Sequence, residues 1–319
     1  MNNAPASCGA EGREVRRSNS PARTNSPLGC SARRGTAKQV PSGKLAADLS
    51  ALGSSTAEDA QPCVPAIELR EVSFSYGKEP FIGGLSAMFS HGAVTSIVGP
   101  NGCGKSTMVK LVDGLLRPQA GEVRVGGVPT LSLKAKARAR RVAVLAQASR
   151  PPAMTVEALV ACGRYPYQAH QGKLSREDRE HVERALELAG IARFRTQELR
   201  RLSGGERQRA FIAMTLAQDT DLIVLDEPTT YLDIRACHET MELIRRLNEE
   251  AGKTIVMVIH DLDLALRYSD RLLVMERGRA AAAGTVEEVL ATGAIERAFG
   301  VSIRPHEAAE GRAYTLFPA

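Results

Sequence analysis

From residue 66 onward the chain alternates between short apolar runs and amphipathic stretches. Ile67-Glu68-Leu69-Arg70-Glu71-Val72-Ser73-Phe74-Ser75-Tyr76 sets apolar side chains near every second position, the period of a half-buried strand, and Gly77 ends it. Later strands read as short, largely apolar runs: Val94 to Val98, Val142 to Leu145, Leu222 to Leu225, Thr254 to Ile259 and Arg271 to Met275. Strands covered on both faces read this way. Helical patterns separate most of these runs, so the expected class is α/β with a largely parallel sheet. One interval is wholly helical: Ser175-Arg176-Glu177-Asp178 reads as a capping box, Val182, Ala185, Leu186 and Ala189 follow at helical spacing, and Gly190 stops the helix. Lying between Gln147 and Leu202, this insert is expected to form a small helical lobe that carries the following segment away from the main sheet.

Residues 1–64 break this pattern. They are rich in Ser, Ala, Gly, Pro and Arg, show no sustained period, and are expected to be disordered. They carry eight Arg or Lys against five Asp or Glu, half of the net charge of +6, which leaves the rest of the 319 residues only mildly basic. A solvated tail, a misplaced start codon and an Arg-rich targeting arm all fit; Glu11, Glu14 and the missing amphipathic stripe speak against the arm. Mild basicity is weak support for nucleic-acid binding, and none is expected. No run of 18 apolar residues occurs, so no membrane span is expected. The six cysteines never reach Cys-x-x-Cys spacing, which argues against a zinc site or a disulfide framework and for a reducing cytosol.

Two segments carry candidate chemistry. Gly99-Pro100-Asn101-Gly102-Cys103-Gly104-Lys105-Ser106 satisfies G-x-x-x-x-G-K-[ST] between an apolar strand and a helix expected from Thr107 to Val112. Glycines let backbone N–H groups close around phosphates, Lys105 neutralises their charge, and the Ser106 hydroxyl can ligate Mg²⁺. Cys103 lies beside a helix start and Lys105, surroundings that favour a thiolate. Leu222 to Asp226-Glu227-Pro228 delivers two carboxylates at the carboxyl end of a strand, where α/β proteins bind ligands. Alone, that pair would be read as a turn or a cap. Beside a phosphate loop, Asp226 suits Mg²⁺ and Glu227 suits orienting and polarising an attacking water.

From Tyr76 to His260 the chain resembles the ABC ATPase family. The resemblance implies a P-loop NTPase fold with a RecA-like core, an antiparallel β subdomain and a helical signature lobe. It divides the chain into an extension (1–64), an ATPase domain (65–300, lobe about 150–215) and a short C-terminal segment (301–319). It implies that ATP is held by Tyr76 stacking on adenine and by Gly99, Pro100, Asn101, Gly102, Cys103, Gly104, Lys105, Ser106 and Thr107. Leu202-Ser203-Gly204-Gly205-Glu206-Arg207-Gln208 is similar to the signature motif, in which Ser203, Gly204 and Gly205 meet the γ-phosphate of the other protomer. Asp233 is similar to the aspartate that crosses that dimer, and His260 to the switch histidine at the γ-phosphate. Gln147 resembles the glutamine that senses Mg²⁺, so the implied metal set is Ser106, Gln147 and Asp226 and the catalytic set Glu227, His260 and Gln147. A helix opening at Gly204 also offers free amides and a positive dipole end to a phosphate.

Gly163-Arg164-Tyr165-Pro166-Tyr167, following Met154 to Val160, is similar to a segment of importers of iron-siderophore, haem and vitamin B12 chelates, as are Ala213 to Gln218 and Asp226 to Asp233. Alone it could be an ordinary loop. The resemblance implies a peripheral ATPase on the cytoplasmic face of the inner membrane. It implies a homodimer bound to two membrane-spanning permease subunits and served by an extracytoplasmic substrate-binding protein. Coupling is expected through the lobe and the Gln147 and Tyr165 region. An iron-siderophore importer is the reading, with haem or vitamin B12 import as the alternative. A soluble ABC ATPase acting on DNA fits poorly, because the interval between phosphate loop and signature is too short for long coiled coils. One acting on ribosomes fits poorly because each motif occurs once.

Overall fold

The computed structural model describes residues 64–147, 151–168, 173–308 and 311–318. Apart from Val64, the disorder expected of residues 1–64 concerns residues outside that set.

Strand β1 (Ile67–Phe74) keeps the predicted alternation, burying Ile67, Leu69, Val72 and Phe74, and stops two residues before Tyr76. It pairs antiparallel with β2 (Ile82–Phe89). The chain then enters β3 (Val94–Val98), all five residues of which are buried. Helix α1 (Lys105–Val112) starts two residues before the predicted Thr107, because Gly104 adopts a left-handed backbone (φ 109°) at the N-cap and turns the loop straight into the helix. Strands β4 (Ala120–Val125) and β5 (Val128–Pro129) complete an antiparallel sheet of order β2-β1-β4-β5.

After α2 (Ala135–Ala139) and β6 (Val142–Leu145) comes the helical insert, with α3 (Val156–Cys162), α4 (Arg176–Leu188) and α5 (Gly204–Ala217). Both halves of the expected capping box form: Ser175 Oγ accepts from Asp178 N at 3.0 Å, and Ser175 N donates to Asp178 Oδ2 at 3.0 Å. Strand β7 (Leu222–Asp226), α6 (Ile234–Glu249), β8 (Thr254–Val258), α7 (Leu262–Tyr268), β9 (Arg271–Glu276) and β10 (Arg279–Thr285) follow. The main sheet has the order β10-β9-β3-β8-β7-β6, parallel except for β10. Helices α8 (Val286–Ala291) and α9 (Ala294–Phe299) lead to a hairpin of β11 (Val301–Ala308) and β12 (Gly311–Pro318).

Successive residues of a strand point to opposite faces, and here the alternation divides the core. Val98, Leu145, Ile223, Leu225, Ile255 and Met257 face the insert, α6 and α7, whereas Ile97, Val224, Val256 and Val258 face α1 and the antiparallel sheet. Each such aliphatic chain contributes roughly 1.5–3 kcal/mol by leaving water. The insert's helices pack chiefly on one another, as a lobe should, and its Leu159, Leu186, Ile212 and Leu216 join the apolar cluster of Leu145 and Leu225 where α5 meets β6. Tyr314, Ile303 and Leu316 tie the final hairpin to the same cluster. No helix among the described residues is long and apolar enough to cross a membrane.

Candidate active site

Parallel pairing brings the chemistry to one edge. Val144 lies beside Val224 and Leu145 beside Leu225; Asp226 lies beside Val258, and Val258 beside Ile97. The segments leaving β3, β8, β7 and β6 therefore emerge side by side at the carboxyl end of the sheet. These segments hold the phosphate loop, His260, Asp226-Glu227 and Gln147.

The phosphate loop is closed on itself. Lys105 is 5% exposed, and its Nζ donates to Gly99 O at 2.7 Å and Pro100 O at 3.1 Å. The turn between β9 and β10 braces the loop from outside through Gly278 N donating to Cys103 O at 3.0 Å. No side chain caps the first turn of α1, so its amides face the loop uncapped. Cys103 corrects the expectation of a thiolate. Its buried thiol, packed among the residues of the α1 side, is pushed up from the ordinary value by desolvation, which Lys105 offsets only in part.

Ser106 Oγ donates to Asp226 Oδ1 at 3.2 Å. Burial pushes the Asp226 carboxyl up, the Ser106 hydrogen bond offsets part of this, and the Glu227 charge adds to it. Beside it Glu227 has a left-handed backbone (φ 57°) and collects three donors. Gln147 Nε2 lies 2.7 Å and Thr230 Oγ1 3.0 Å from Oε2, while His260 Nε2 lies 2.5 Å from Oε1. Ser106, Asp226 and Gln147 offer hard oxygen donors around one buried carboxylate, a set that suits Mg²⁺ completed by phosphate oxygens and water. Among the described residues no cluster of three His, Cys, Asp or Glu could hold a metal by itself.

The signature segment lies on the other side of the sheet. Ser203 caps α5 in a capping box with Glu206: its Oγ accepts from Glu206 N at 3.3 Å and donates to Glu206 Oε2 at 2.9 Å. These donors, the Ser203 amide first, hold the Glu206 carboxyl below its ordinary value. A Cβ on Gly205 would meet Ala236 Cβ at 2.9 Å, so the start of α5 packs against the start of α6, where Asp233 is the N-cap and accepts from Ala236 N at 2.8 Å. Gly204, Phe211, Asp226, Glu227 and Thr230 line a common cavity of about 70 Å³. The phosphate-loop helix packs into one apolar cluster and the signature helix into the other, on opposite faces of the sheet.

Tyr76 is 61% exposed, packs edge-on against Phe74 and Phe81, and hydrogen-bonds through its hydroxyl to Thr107 Oγ1 at 3.1 Å. The ring is thus held beside the helix that starts at the phosphate loop, with most of its surface exposed. In the Gly163 to Tyr167 segment, a Cβ on Gly163 would stand 2.2 Å from Met214 O, which explains the glycine. Arg164 is buried, donating to Asp178 Oδ1 at 2.8 Å and Ala217 O at 2.9 Å with Tyr167 stacked at 4.0 Å. Tyr165 remains exposed. Sequence reasoning missed Thr230 and the Arg164–Asp178 pair. A hydroxyl three residues after a strand-end carboxylate was the available signal for the first; the second joins two elements and leaves no local signal.

A profile of the family described as ABC transporter matches residues 82–230. A petrobactin import ATP-binding protein of Bacillus anthracis, FpuD, is 43% identical over 226 residues, covering 70% of this chain and 83% of its own length. The ferric enterobactin transport ATP-binding protein FepC of Escherichia coli (strain K12) is 41% identical over 232 residues, 72% of this chain and 86% of its own. Among solved structures, a dimeric post-hydrolysis state of the ATP-binding cassette MJ0796 bound to ADP and Pi superposes with a TM-score of 0.60 at 30% identity, covering 69% of this chain and 98% of that one.

Proposed function

The chain belongs to the ABC transporter family, and from that premise we propose that it is the ATP-hydrolysing subunit that energises import of an iron-siderophore or related metal chelate through partner membrane proteins. The observation that carries the ATPase reading is the convergence of Lys105, Ser106, Asp226, Glu227, Gln147 and His260 at one sheet edge. The chelate class rests on the relatives, whose names specify petrobactin and ferric enterobactin.

Lys105 exchanges the Gly99 and Pro100 carbonyls for phosphate oxygens, which keeps its ammonium solvated by the protein until ATP arrives. The uncapped α1 amides take further phosphate oxygens. Ser106, Asp226 and Gln147 would hold Mg²⁺, which when bound supplies charge neutralisation to the phosphates. Glu227 orients the attacking water and accepts its hydrogen bond, and His260, on the other side of Oε1, is placed to sense the γ-phosphate. The opposite-face arrangement supports a head-to-tail homodimer in which Ser203, Gly204, Gly205 and Asp233 of one protomer complete the site of the other. Two permease subunits, an extracytoplasmic binding protein and attachment at the cytoplasmic face of the inner membrane belong to this reading; the exposed Tyr165 and the insert form its docking side.

Affinity purification from membranes tests it. Two multi-span proteins should co-purify, and deletion of the chain should abolish uptake of an iron chelate. Recovery of ribosomes or nucleic acid in their place would reject the importer.

A further inference from the structure

The donors that hold Glu227 differ in where they come from. Gln147 stands 80 residues away and His260 33, whereas Thr230 stands three residues on, in the same turn. That turn is pinned twice: Thr230 N donates to Glu227 O at 3.3 Å, and Thr230 Oγ1 donates to Glu227 Oε2 at 3.0 Å. The left-handed backbone of Glu227 folds its side chain back toward Thr230, a conformation that persists at a residue with a Cβ only where its surroundings over-determine it. Glu227 N donating to Val258 O at 3.1 Å supplies a further restraint. Any shift of the segment after β6, or of the segment after β8, changes the distances from Gln147 and His260 to Glu227. Thr230 travels with the carboxylate.

A glutamate carboxylate rotates almost freely about its last bond, so it presents two equivalent oxygens unless one is anchored. A general base must hold one oxygen within hydrogen-bond reach of the water, and misplacement by about an ångström can cost a hundredfold. We infer that Thr230 is a positioning residue for ATP hydrolysis: its hydroxyl anchors Oε2 of Glu227, so that Oε1, the oxygen on the His260 side, is the one offered to the attacking water. The inference rests on the ATPase reading and deepens it. Thr230 also borders the cavity shared with Asp226 and Glu227, so the anchor lies within the site and not behind it.

The test compares Thr230→Val, which removes the hydroxyl and keeps the shape, with Thr230→Ser, which keeps the hydroxyl. Each is assayed as full chain with whatever membrane proteins co-purify. Thr230→Val should lower kcat about tenfold, the effect of one hydrogen bond to a charged group, with KM for ATP and the melting midpoint unchanged. Thr230→Ser should keep at least half the parent kcat. If Thr230→Val unfolds, Thr230→Ala carries the same comparison. A hydroxyl-free variant within twofold of the parent, a Ser variant as slow as Val, or a fall in kcat matched by a rise in KM would each overturn the positioning role. No turnover by the parent chain would sink the ATPase reading, and the inference with it, and is told apart by the parent assay alone.

Discussion

At Cys103 two effects oppose each other. Withdrawal from water favours the neutral thiol, while Lys105 Nζ, 3.9 Å from Sγ, favours the thiolate. Desolvation is the larger, and Lys105 offsets only part of it. Iodoacetamide should therefore label the exposed Cys162 well before Cys103 near neutral pH, with Cys103 reacting only as pH rises past the ordinary thiol range of about 8.5, and ATP should protect it. Peptide mass spectrometry of labelling against time checks this; Cys103 reacting first would mean that the loop opens readily. The phosphate-loop residues were legible in the sequence because each follows directly from local spacing. The state of the Cys103 thiol was not, since its burial is completed by residues such as Ile82 and Met275, which are remote in sequence.

Within the helical insert the Arg164–Asp178 pair joins the turn after α3 to the start of α4, with both side chains at least nine-tenths buried. Burial alone would raise the Asp178 carboxyl, but the Arg164 and Ser175 hydrogen bonds outweigh it and hold it below its ordinary value. A carboxyl depressed on folding adds stability that is fully present above the unfolded value, about 3.9, and is lost as pH falls through the folded one. Arg164→Met strands a buried carboxylate and should cost about 3–5 kcal/mol in urea unfolding near pH 7. Adding Asp178→Asn should recover part of that, and the parent's lead over Arg164→Met should shrink as pH falls from the raised range of the unpaired, buried Asp178 carboxyl down through the depressed range it has beside Arg164. A lead independent of pH would assign the loss to packing alone. Elements built on short, largely apolar runs, such as β3, β7 and β8, were readable from the sequence. Strands β2 and β10 were not: the first carries Gly83-Gly84 directly after Ile82 and the second is mostly alanine, so both owe their strand state to neighbours.

For the whole molecule the decisive feature is that α1 and α5 cover opposite faces of one sheet. Lys105→Ala should abolish ATP binding, whereas Ser203→Arg should leave binding intact and stop turnover. Mixing the two should restore part of the hydrolysis, since one composite site then carries both lesions and the other neither. Glu227→Gln keeps the size of the side chain and removes its charge, so hydrolysis should fall roughly a hundredfold or more while ATP now holds two chains together. Size-exclusion light scattering with and without ATP reads the dimer. Near-normal turnover would take Glu227 out of catalysis, and slow turnover without a dimer in the isolated or the assembled protein would undo the two-chain site.

The proposed head-to-tail pairing predicts a turnover that is second order in the subunit. A chain far from any mate carries half of two sites and none of one, so its rate per molecule should fall on dilution instead of staying constant. Under the proposed pairing, unpaired copies should stay idle, and ATP should be hydrolysed only where two copies are held face to face.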